Sequence, residues 1–389
     1  MMVRTAASSP KGLFFCAQPK FFAQINCKLR DFMVKLKQSS FIQKEKSMKI
    51  LVDAHGGDQT LGEIIDACLV FLFKHAGDSI VLVGKEEEIN AVLATKDTRD
   101  ANISVKNANG VITCNESPVE ALRTKRDSSI VVALDLLKAG EYAGLVSAGS
   151  TGAVLSGAVL KLGRLKGVSR PGLAPLLPTI KGGKVLLIDC GANMDCKPIN
   201  LAHFALMGSE FMRVIEGIPQ PRVAQLNVGV EDAKGNNLAK SVHEILQKLP
   251  INYVGNMEAR DALSGNYDVI VADGFCGNIL LKSIEGTLQN FMGVLKTGLK
   301  SSFRGKMGGL LIKKPLKGVM RRYDYHAYGG SPLLGTRQIV VKAHGSAQIN
   351  SLVSAMEQVR DFAERDLLTK IGNVISDADD ILRSCELEN

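Results

Sequence analysis

Lys49-Ile-Leu-Val-Asp53, followed at once by Ala-His-Gly-Gly-Asp58, is the stretch that decides the fold. A run rich in β-branched residues and leucine predicts a buried strand, and the glycine pair among polar residues predicts the turn that ends it. From Met48 onward, similar runs alternate with longer helical segments, which is typical of βαβ units. We therefore predict an α/β protein with a three-layer α/β/α architecture and a largely parallel, mixed sheet.

The predicted elements follow from this alternation. Two apolar runs between Leu173 and Asp189 flank Lys181-Gly-Gly183, which predicts a β-hairpin and hence one antiparallel pair. The predicted strands are 49–53, 79–84, 102–106, 143–147, 173–178, 184–189, 221–227, 251–255, 268–272 and 337–343. The predicted helices are 60–76, 86–95, 117–139, 151–163, 199–216, 237–248, 277–300 and 346–368.

Six glycine- and Asx-rich turns follow predicted strands. In a parallel sheet such turns meet at the carboxyl edge, where ligands bind. Glycine lets backbone N–H groups approach a ligand, and the following helix N-terminus favours an anion. The six turns therefore predict an enzyme with a polar cleft for a phosphate-like anion. They are Asp53–Asp58, Ser147–Gly152, Asp189–Asn193, Asn227–Asn236, Asp273–Asn278 and Ala343–Ser346.

The charge of the chain is uneven. Residues 1–47 hold nine Lys or Arg residues against two acidic ones, whereas residues 48–389 hold 39 against 37. We expect 1–47 to be a dispensable or disordered N-terminal extension and 48–389 to be the catalytic α/β domain. Within that domain, residues 286–323 hold nine Lys or Arg residues and no acid. Outside that segment the domain holds 30 Lys or Arg residues against 37 acidic ones, so it is mildly acidic. A mildly acidic domain with one basic region is a poor match to a nucleic-acid binder.

Several classes are disfavoured by missing signals. The eight cysteines show no metal-binding or redox spacing, which is typical of reduced thiols in a cytoplasmic protein. No apolar run approaches the ~18 residues of a spanning helix. The chain also lacks a dinucleotide-binding Gly-x-Gly-x-x-Gly after its first strand and a P-loop. We expect neither a metal nor a cofactor.

The candidate ligands of an anion are hydroxyl groups, backbone amides and basic side chains in these turns. Ser147–Gly152 is the best cradle, since it combines two glycines, hydroxyl groups and a helix N-terminus. Lysine and arginine would add charge-assisted hydrogen bonds to a dianion. The residues that we assign to binding substrate or phosphate are Asp53, Gly56, Gly57, Ser147, Gly149, Ser150, Thr151, Gly152, Arg170, Asn193, Asn227, Glu231, Lys234, Gly274, Lys282 and Ser346.

Taken together, the motifs closely resemble the bacterial phosphate acyltransferase family (PlsX) over about residues 48–368. The resemblance lies in motifs such as Ser147-Ala-Gly-x-Thr-Gly-Ala153, Asp189-x-Gly-Ala-Asn193, Asn227-Val-Gly-x-Glu231, Asp273-Gly-Phe-x-Gly-Asn278 and Lys342-Ala-His-Gly-Ser346. His55, Ser150 and Val230 depart from the residues usual in that family. None of the three departures removes a motif.

The resemblance implies transfer of a long-chain acyl group from acyl carrier protein to orthophosphate, giving acyl phosphate for phospholipid synthesis. It also implies a fold similar to phosphotransacetylases and isocitrate-type dehydrogenases, and usually a homodimer. A downstream acyltransferase that uses acyl phosphate is a further expected partner. We expect a cytoplasmic enzyme, associated at most peripherally with the inner face of the membrane.

The residues fit this chemistry without a nucleophile from the enzyme. Phosphate held between helix N-termini and basic side chains would attack the thioester carbonyl directly. An asparagine such as Asn193, Asn236 or Asn278 would stabilise the oxyanion, and His344 or Lys342 would help to protonate the leaving thiolate. We therefore assign catalytic roles to Lys342, His344, Asn236 and Asn278.

The basic segment 286–323 has an apolar stripe at helical spacing, and we expect Gly305, Gly308 and Gly309 to end its helix. Three interpretations stay open: a stripe that packs on the core or a dimer partner, a membrane-surface helix, and a docking surface for acidic acyl carrier protein. The residues assigned to membrane or carrier-protein docking are Leu295, Lys296, Leu299, Lys300, Phe303 and Arg304.

Two rival functions remain. One is a short-chain phosphotransacetylase-type enzyme that acts on acyl-coenzyme A, which the donor's chain length would distinguish. The other is a non-catalytic membrane scaffold, which would have no use for six anion-ready turns.

Overall fold

Two β-sheets and the helices around them form the computed structural model, which describes residues 47–322, 329–345 and 347–388. The strands are β1 (Lys49–Asp53), β2 (Ser79–Gly84), β3 (Ile103–Asn107), β4 (Gly144–Ser147), β5 (Gly172–Leu173), β6 (Leu176–Pro178), β7 (Lys184–Ile188), β8 (Val223–Asn227), β9 (Tyr253–Glu258), β10 (Val269–Val271), β11 (Ser331–Leu334) and β12 (Val340–Lys342). The α-helices are α1 (Leu61–Lys74), α2 (Glu86–Leu93), α3 (Pro118–Thr124), α4 (Ser129–Lys138), α5 (Thr151–Gly157), α6 (Pro198–Ile215), α7 (Asn237–Lys248), α8 (Gly274–Lys300), α9 (Phe303–Arg322), α10 (Ile349–Glu364), α11 (Leu367–Asp377) and α12 (Asp379–Glu388). A π-helix, Ala158–Leu162, continues α5, and a 3₁₀-helix spans Ala259–Asp261.

The first sheet has seven strands in the order β3-β2-β1-β4-β12-β11-β5, and the second has five in the order β6-β7-β10-β8-β9. In the first sheet β11 is antiparallel to both of its neighbours, β12 and β5. In the second, β6 and β7 form the antiparallel hairpin expected around Lys181-Gly-Gly183. All other pairs are parallel. The largely parallel, mixed arrangement is confirmed.

The predicted strand 173–178 is in fact two strands in two different sheets. The break falls at Ala174-Pro175, between β5 in the first sheet and β6 in the second. Proline has no backbone N–H to donate to a ladder, so it suits a crossing point of this kind. The two sheets remain linked here, because the Cys190 N–H donates to the Leu173 carbonyl at 3.0 Å.

Helices cover both faces of the first sheet. Along β1, Ile50 and Val52 pack in a core shared with α1 and α10, whereas Leu51 packs in a core shared with α4 and α5. This alternation follows from the two-residue period of a strand. The second sheet likewise separates α6 and α7 from α8. The predicted three-layer α/β/α architecture is confirmed.

Some predicted helix boundaries were wrong. The helix predicted for 117–139 is two helices, α3 and α4, and α11, α12 and β11 lie in segments without a prediction. The glycines between 305 and 309 do not end a helix, since α9 runs from Phe303 to Arg322. A Cβ atom at Gly305 would lie 2.7 Å from the Leu299 carbonyl oxygen. Glycine at this position therefore lets the start of α9 lie close to the end of α8, and this packing offsets its helix-propensity cost of roughly 1 kcal/mol.

None of the helices in the described ranges is both long enough and apolar enough to cross a bilayer.

Candidate active site

A cleft of about 200 Å³ opens between elements of the two sheets. It is lined on the side of the first sheet by the end of β12 and the start of α5, and on the side of the second sheet by α8. Its polar lining residues are Thr151, Asn278, Lys282, Glu285, Ser331, Lys342 and His344. Its apolar lining residues include Leu173, Pro175, Leu176, Leu177 and Leu281. The cleft therefore offers cations beside an apolar wall.

Lys342 is the buried cation of the cleft. It ends β12, pairs in register with Ser147 of β4 and is only 7% exposed. Burial lowers the pKa of its ammonium group to about 8, and the like charge of Lys282 acts in the same direction. The nearby carboxylates of Asp53 and Asp58 oppose this lowering. An ammonium group in this environment gains strongly from an anion, because little water competes for it.

Lys282 and Glu285 face the cleft from α8, one turn apart. The Lys282 Nζ lies 2.7 Å from the Glu285 Oε2. The lysine is exposed, whereas the glutamate is buried. Asn278 precedes Lys282 by one turn on the same helix and contacts the turn at Gly191. This one helix thus contributes a cation, a carboxylate and an amide to the cleft.

The turns after β1 and β4 interlock behind Thr151. The Asp53 carboxylate, which is buried, accepts a hydrogen bond from the Ser147 hydroxyl at 2.7 Å, and that hydroxyl accepts one from the Gly149 N–H at 3.1 Å. A Cβ atom at Gly56 would lie 2.8 Å from the Gly149 Cα. The glycines are therefore required by the close approach of two backbones. Asp53, Gly56, Gly57, Ser147, Gly149, Ser150 and Gly152 frame the cleft without being among its lining residues.

The turn after β12 is bound to the turn after β1. The Gly345 carbonyl accepts hydrogen bonds from the Asp58 N–H at 3.1 Å and from the Gln59 Nε2 at 2.6 Å. His344, between Lys342 and Gly345, is exposed and lines the cleft. The turns of β1, β4 and β12 thus meet at one edge of the first sheet. Ser346, which we also assigned to the site, lies outside the described residues.

The turn after β7 has a structural role. The Asp189 carboxylate accepts hydrogen bonds from the N–H groups of Leu173, Ala192 and Asn193, at 2.7–3.1 Å. Burial raises the pKa of this carboxyl group, and these hydrogen bonds oppose the change. The Asn193 side-chain amide donates to Asp189 and to the Pro171 carbonyl, so its donors are occupied. Gly274 packs against this turn, where its Cβ would lie 2.5 Å from the Asn193 carbonyl oxygen.

The predicted residues of the long turn after β8, together with Arg170, also lie outside the cleft lining. The Asn236 side chain caps α7 by accepting from the Ala239 N–H at 2.9 Å, and the Asn227 side chain donates to the Lys234 carbonyl at 3.2 Å. The long turn after β8 therefore closes on itself. Arg170, Asn227, Glu231, Lys234 and Asn236 are not among the residues that line the cleft.

Two cysteines lie at or near the cleft. Burial raises the pKa of the Cys190 thiol well above its ordinary value, and burial with Asp273 raises that of Cys276 to about 11. Both thiols are therefore protonated at neutral pH, which is unfavourable for a thiolate nucleophile.

The basic segment forms α9 and the second half of α8. Leu295 and Leu299 are half-buried, whereas Lys296, Lys300 and Arg304 are exposed. Phe303 is 78% exposed, as is Leu311. The segment therefore presents apolar side chains beside lysines on the surface of the described chain. Residue 323, at its end, lies outside the described residues.

Sequence reasoning missed Glu285. The available signal was its position three residues after Lys282, which places the two side chains on one helix face. That spacing does not distinguish Glu285 from the acidic residues of exposed helical ion pairs, because nothing local shows that its side chain is buried.

Comparison with known proteins bears on most of the chain. A family model described as "Fatty acid synthesis protein" matches residues 48–370. The phosphate acyltransferase of Clostridium novyi (strain NT) is 44% identical over 324 residues, which cover 83% of this chain and 97% of that protein. The phosphate acyltransferase of Bacillus cereus (strain G9842) is 42% identical over 328 residues, covering 84% and 98%.

Solved structures show the same fold. A phosphotransacetylase from Streptococcus pyogenes superposes with a TM-score of 0.56 at 18% identity, covering 86% of this chain and 98% of that one. A branched-chain phosphotransacylase from Enterococcus faecalis V583 superposes with a TM-score of 0.51 at 18% identity, covering 82% of this chain and 99% of that one. The expected likeness to the phosphotransacetylase fold is confirmed.

Proposed function

The chain belongs to the phosphate acyltransferase family, and we propose that it transfers a long-chain acyl group from acyl carrier protein to orthophosphate, giving acyl phosphate for phospholipid synthesis. The observation that carries the assignment to this cleft is the pair of lysines that line it, Lys342 at the end of β12 in the first sheet and Lys282 on α8, which packs on the second sheet. Two cations suit a dianion better than a neutral substrate. The proposed phosphate site lies between them.

Phosphate in this site needs positioning more than activation. Near neutral pH orthophosphate is already an anion with unprotonated oxygens, so it can attack without a general base. Its oxygen forms the new C–O bond at the thioester carbonyl, and the C–S bond then breaks. Holding the two reactants in place is worth about 7–11 kcal/mol of barrier in favourable cases. The Asn278 side chain, which lines the same cleft, is our candidate donor to the oxyanion of the intermediate.

The leaving thiolate of the carrier's prosthetic group must gain a proton. Lys342, with its pKa lowered to about 8, is well matched to a thiol of pKa ~8.5. His344 lines the same cleft and is the second candidate. In the balanced reaction the proton comes ultimately from monohydrogen phosphate, so that acyl phosphate and a free thiol are the products.

The apolar lining supports an acyl substrate. Leu173, Leu176 and Leu177 follow one another on β5 and β6, and Leu281 faces them from α8. Their placement beside the lysines matches a molecule with an apolar chain and a reacting polar end. The phosphotransacetylase fold supports the rival donor, a short acyl-coenzyme A, so the donor must be tested directly.

The test uses the purified full chain with palmitoyl-acyl carrier protein and orthophosphate. Hydroxylamine converts acyl phosphate to an acyl hydroxamate, which is measured by its iron complex or by mass. Phosphate-dependent hydroxamate from this donor, and not from acetyl-coenzyme A, is the expected result. Product from acetyl-coenzyme A alone would instead establish the short-chain reaction. No product from either donor would contradict both and favour the scaffold.

The basic surface of α8 and α9 is our proposed site of peripheral contact with anionic lipid. Exposed Phe303 and Leu311 lie beside lysines, as in helices that insert shallowly into an anionic interface. Flotation with phosphatidylglycerol vesicles, compared with phosphatidylcholine vesicles, tests this. Phe303→Asp should reduce flotation. The same substitution could instead weaken binding to acyl carrier protein and leave flotation unchanged. That result would assign the surface to the carrier protein.

We also propose that residues 48–389 are the catalytic unit and that the enzyme works as a homodimer. The match of the family model to residues 48–370 supports the first proposal. Comparison of the 48–389 fragment with the full chain, by hydroxamate yield and by light scattering, tests both.

A further inference from the structure

Glu285 places a carboxylate inside a site that we assign to an anion. Among the described residues that line the cleft, it is the only acidic one, and it is only 9% exposed. It is also the only acidic residue in the whole of α8. A buried negative charge close to a bound dianion is unfavourable unless a proton or a cation lies between them.

The ion pair with Lys282 accounts for part of this charge. The contact at 2.7 Å involves the Oε2 atom of Glu285. A carboxylate has about four acceptor positions on its two oxygens, so one lysine does not exhaust them. The acceptor positions of Glu285 that Lys282 does not fill suit a hydrogen-bond donor. In a cleft whose cations bind an anion, a protonated oxygen of that anion can be this donor.

Orthophosphate supplies such a donor, whereas sulfate does not. Near neutral pH orthophosphate carries at least one P–OH group, and sulfate of similar shape carries no proton. A buried acceptor therefore accepts a hydrogen bond from phosphate but repels sulfate. Sites that hydrogen-bond a ligand hydroxyl reject analogues without it strongly, because a buried acceptor is then left unpaired.

We propose that Glu285 accepts a hydrogen bond from the P–OH group of bound phosphate and makes the cleft select orthophosphate over sulfate. This inference rests on the proposed function for the identity of the anion. Glu285 is then a specificity-determining residue, and it also turns the unprotonated phosphate oxygens towards Lys342 and the thioester.

A purely structural role for Glu285 makes a different prediction. If the carboxylate only fixes the Lys282 side chain, its loss weakens phosphate and sulfate binding alike. The ratio of the two dissociation constants then stays the same. This ratio is measured within one variant, so it does not depend on the fraction of protein that is folded.

The experiment is calorimetric titration of the full chain with inorganic phosphate, arsenate and sulfate at pH 7.5. The variants are Glu285→Gln, which keeps the shape of the side chain, and Glu141→Gln, an exposed control outside the cleft. The wild type and the control should prefer phosphate and arsenate, which both carry a proton, over sulfate. In Glu285→Gln that preference should fall by about tenfold or more.

An unchanged ratio in Glu285→Gln, or wild-type binding of sulfate as tight as that of phosphate, would overturn the inference. The proposed function has a separate readout, the phosphate-dependent hydroxamate assay. Selective phosphate binding without acyl transfer would overturn the function but support the role of Glu285. Acyl transfer with no anion selectivity would do the reverse.

Discussion

The turn after β12 and the turn after β8 look alike in the sequence but differ in the structure. Each follows a buried strand and combines glycine and a polar residue with a lysine at or just after the end of that strand. Lys342, the last residue of β12 before the first turn, is 7% exposed and lines the cleft, whereas Lys234 in the second turn is exposed. The same local pattern therefore gives one buried cation and one surface cation.

The difference comes from what each turn is bonded to. The β12 turn is held by the β1 turn, through Asp58, Gln59 and the Gly345 carbonyl. The β8 turn is held mainly by its own residues, through Asn227 and the capping Asn236. Burial, which changes the chemistry of a lysine, is thus set by neighbours that are distant in sequence.

The largest effect is expected at a glycine of α8 that packs directly on the turn after β7, another turn held by residues distant in sequence. A Cβ atom at Gly277, in the first turn of α8, would lie 1.9 Å from the Asp189 carbonyl oxygen, which is part of a rigid buried turn. Gly277→Ala should therefore lower the free energy of unfolding by about 4 kcal/mol or more. Urea denaturation followed by circular dichroism measures this.

Two further glycines serve as matched controls. Gly235 of the β8 turn has φ +98°, and its Cβ would meet only side-chain atoms, so Gly235→Ala should cost about 1–2 kcal/mol. Gly293 lies in α8 with no neighbour near its Cβ, so Gly293→Ala should be neutral or stabilise by up to ~1 kcal/mol. Equal losses at Gly277 and Gly235 would contradict a difference in rigidity between the β7 turn, on which Gly277 packs, and the β8 turn.

The next effect concerns catalysis by the buried lysine. Lys342→Met removes a cation that little water screens, so hydroxamate formation should fall by about 100-fold or more, near 3 kcal/mol in the barrier. The same variant should be more stable than the wild type at pH 7. Lowering of the Lys342 pKa from 10.5 to about 8 corresponds to about 3 kcal/mol of folding free energy.

The sign of this stability term can be checked by pH. At pH 7 the Lys342 amine is protonated in both the folded and the unfolded state, so the full cost of burying its charge is present there. Between pH 8 and pH 10.5 the unfolded state holds more protons, so wild-type stability rises relative to Lys342→Met. Thermal melting of both proteins at pH 7 and pH 10 measures it. A Lys342→Met protein that is inactive because it is unfolded at pH 7 would refute the prediction.

Much of the fold and part of the site could be predicted from sequence. Periodicity placed β1, β2 and α7 almost to the residue, since their apolar patterns are clear and their ends carry turn or cap residues. The split into two sheets at Ala174-Pro175 could not, because each strand there has only two or three residues. Among the basic residues that the sequence selects in and just after the glycine-rich turns, Lys342 and Lys282 line the cleft. Turn composition gave equal weight to Lys234, since nothing local encodes burial.

A smaller effect is expected in the pH dependence of the reaction. If protonated Lys342 binds phosphate or donates a proton to the thiolate, the rate of hydroxamate formation should fall about tenfold for each pH unit above about 8. Lys342→Arg keeps the charge, because arginine stays protonated, so its rate, even if reduced, should not show this fall. Initial rates from pH 6.5 to pH 9.5 with phosphate well below its KM test this, because kcat/KM reports the pKa values of the free enzyme. If the rate of Lys342→Arg falls in the same way, the pH dependence belongs to a titrating group other than Lys342.

The smallest effect is expected at Lys234. An exposed lysine in a turn at the carboxyl edge is screened by salt, so its Coulomb contribution to any one ligand is small. Lys234→Ala should therefore leave kcat and the KM for phosphate nearly unchanged. It should raise the KM for acyl carrier protein by about threefold at low salt, and this increase should vanish in ~0.5 M salt. A 100-fold loss of kcat, equal to that of Lys342→Met, would mean that the β8 turn reaches the reacting phosphate after all. The two turns would then act together, and the cleft would have to close during turnover.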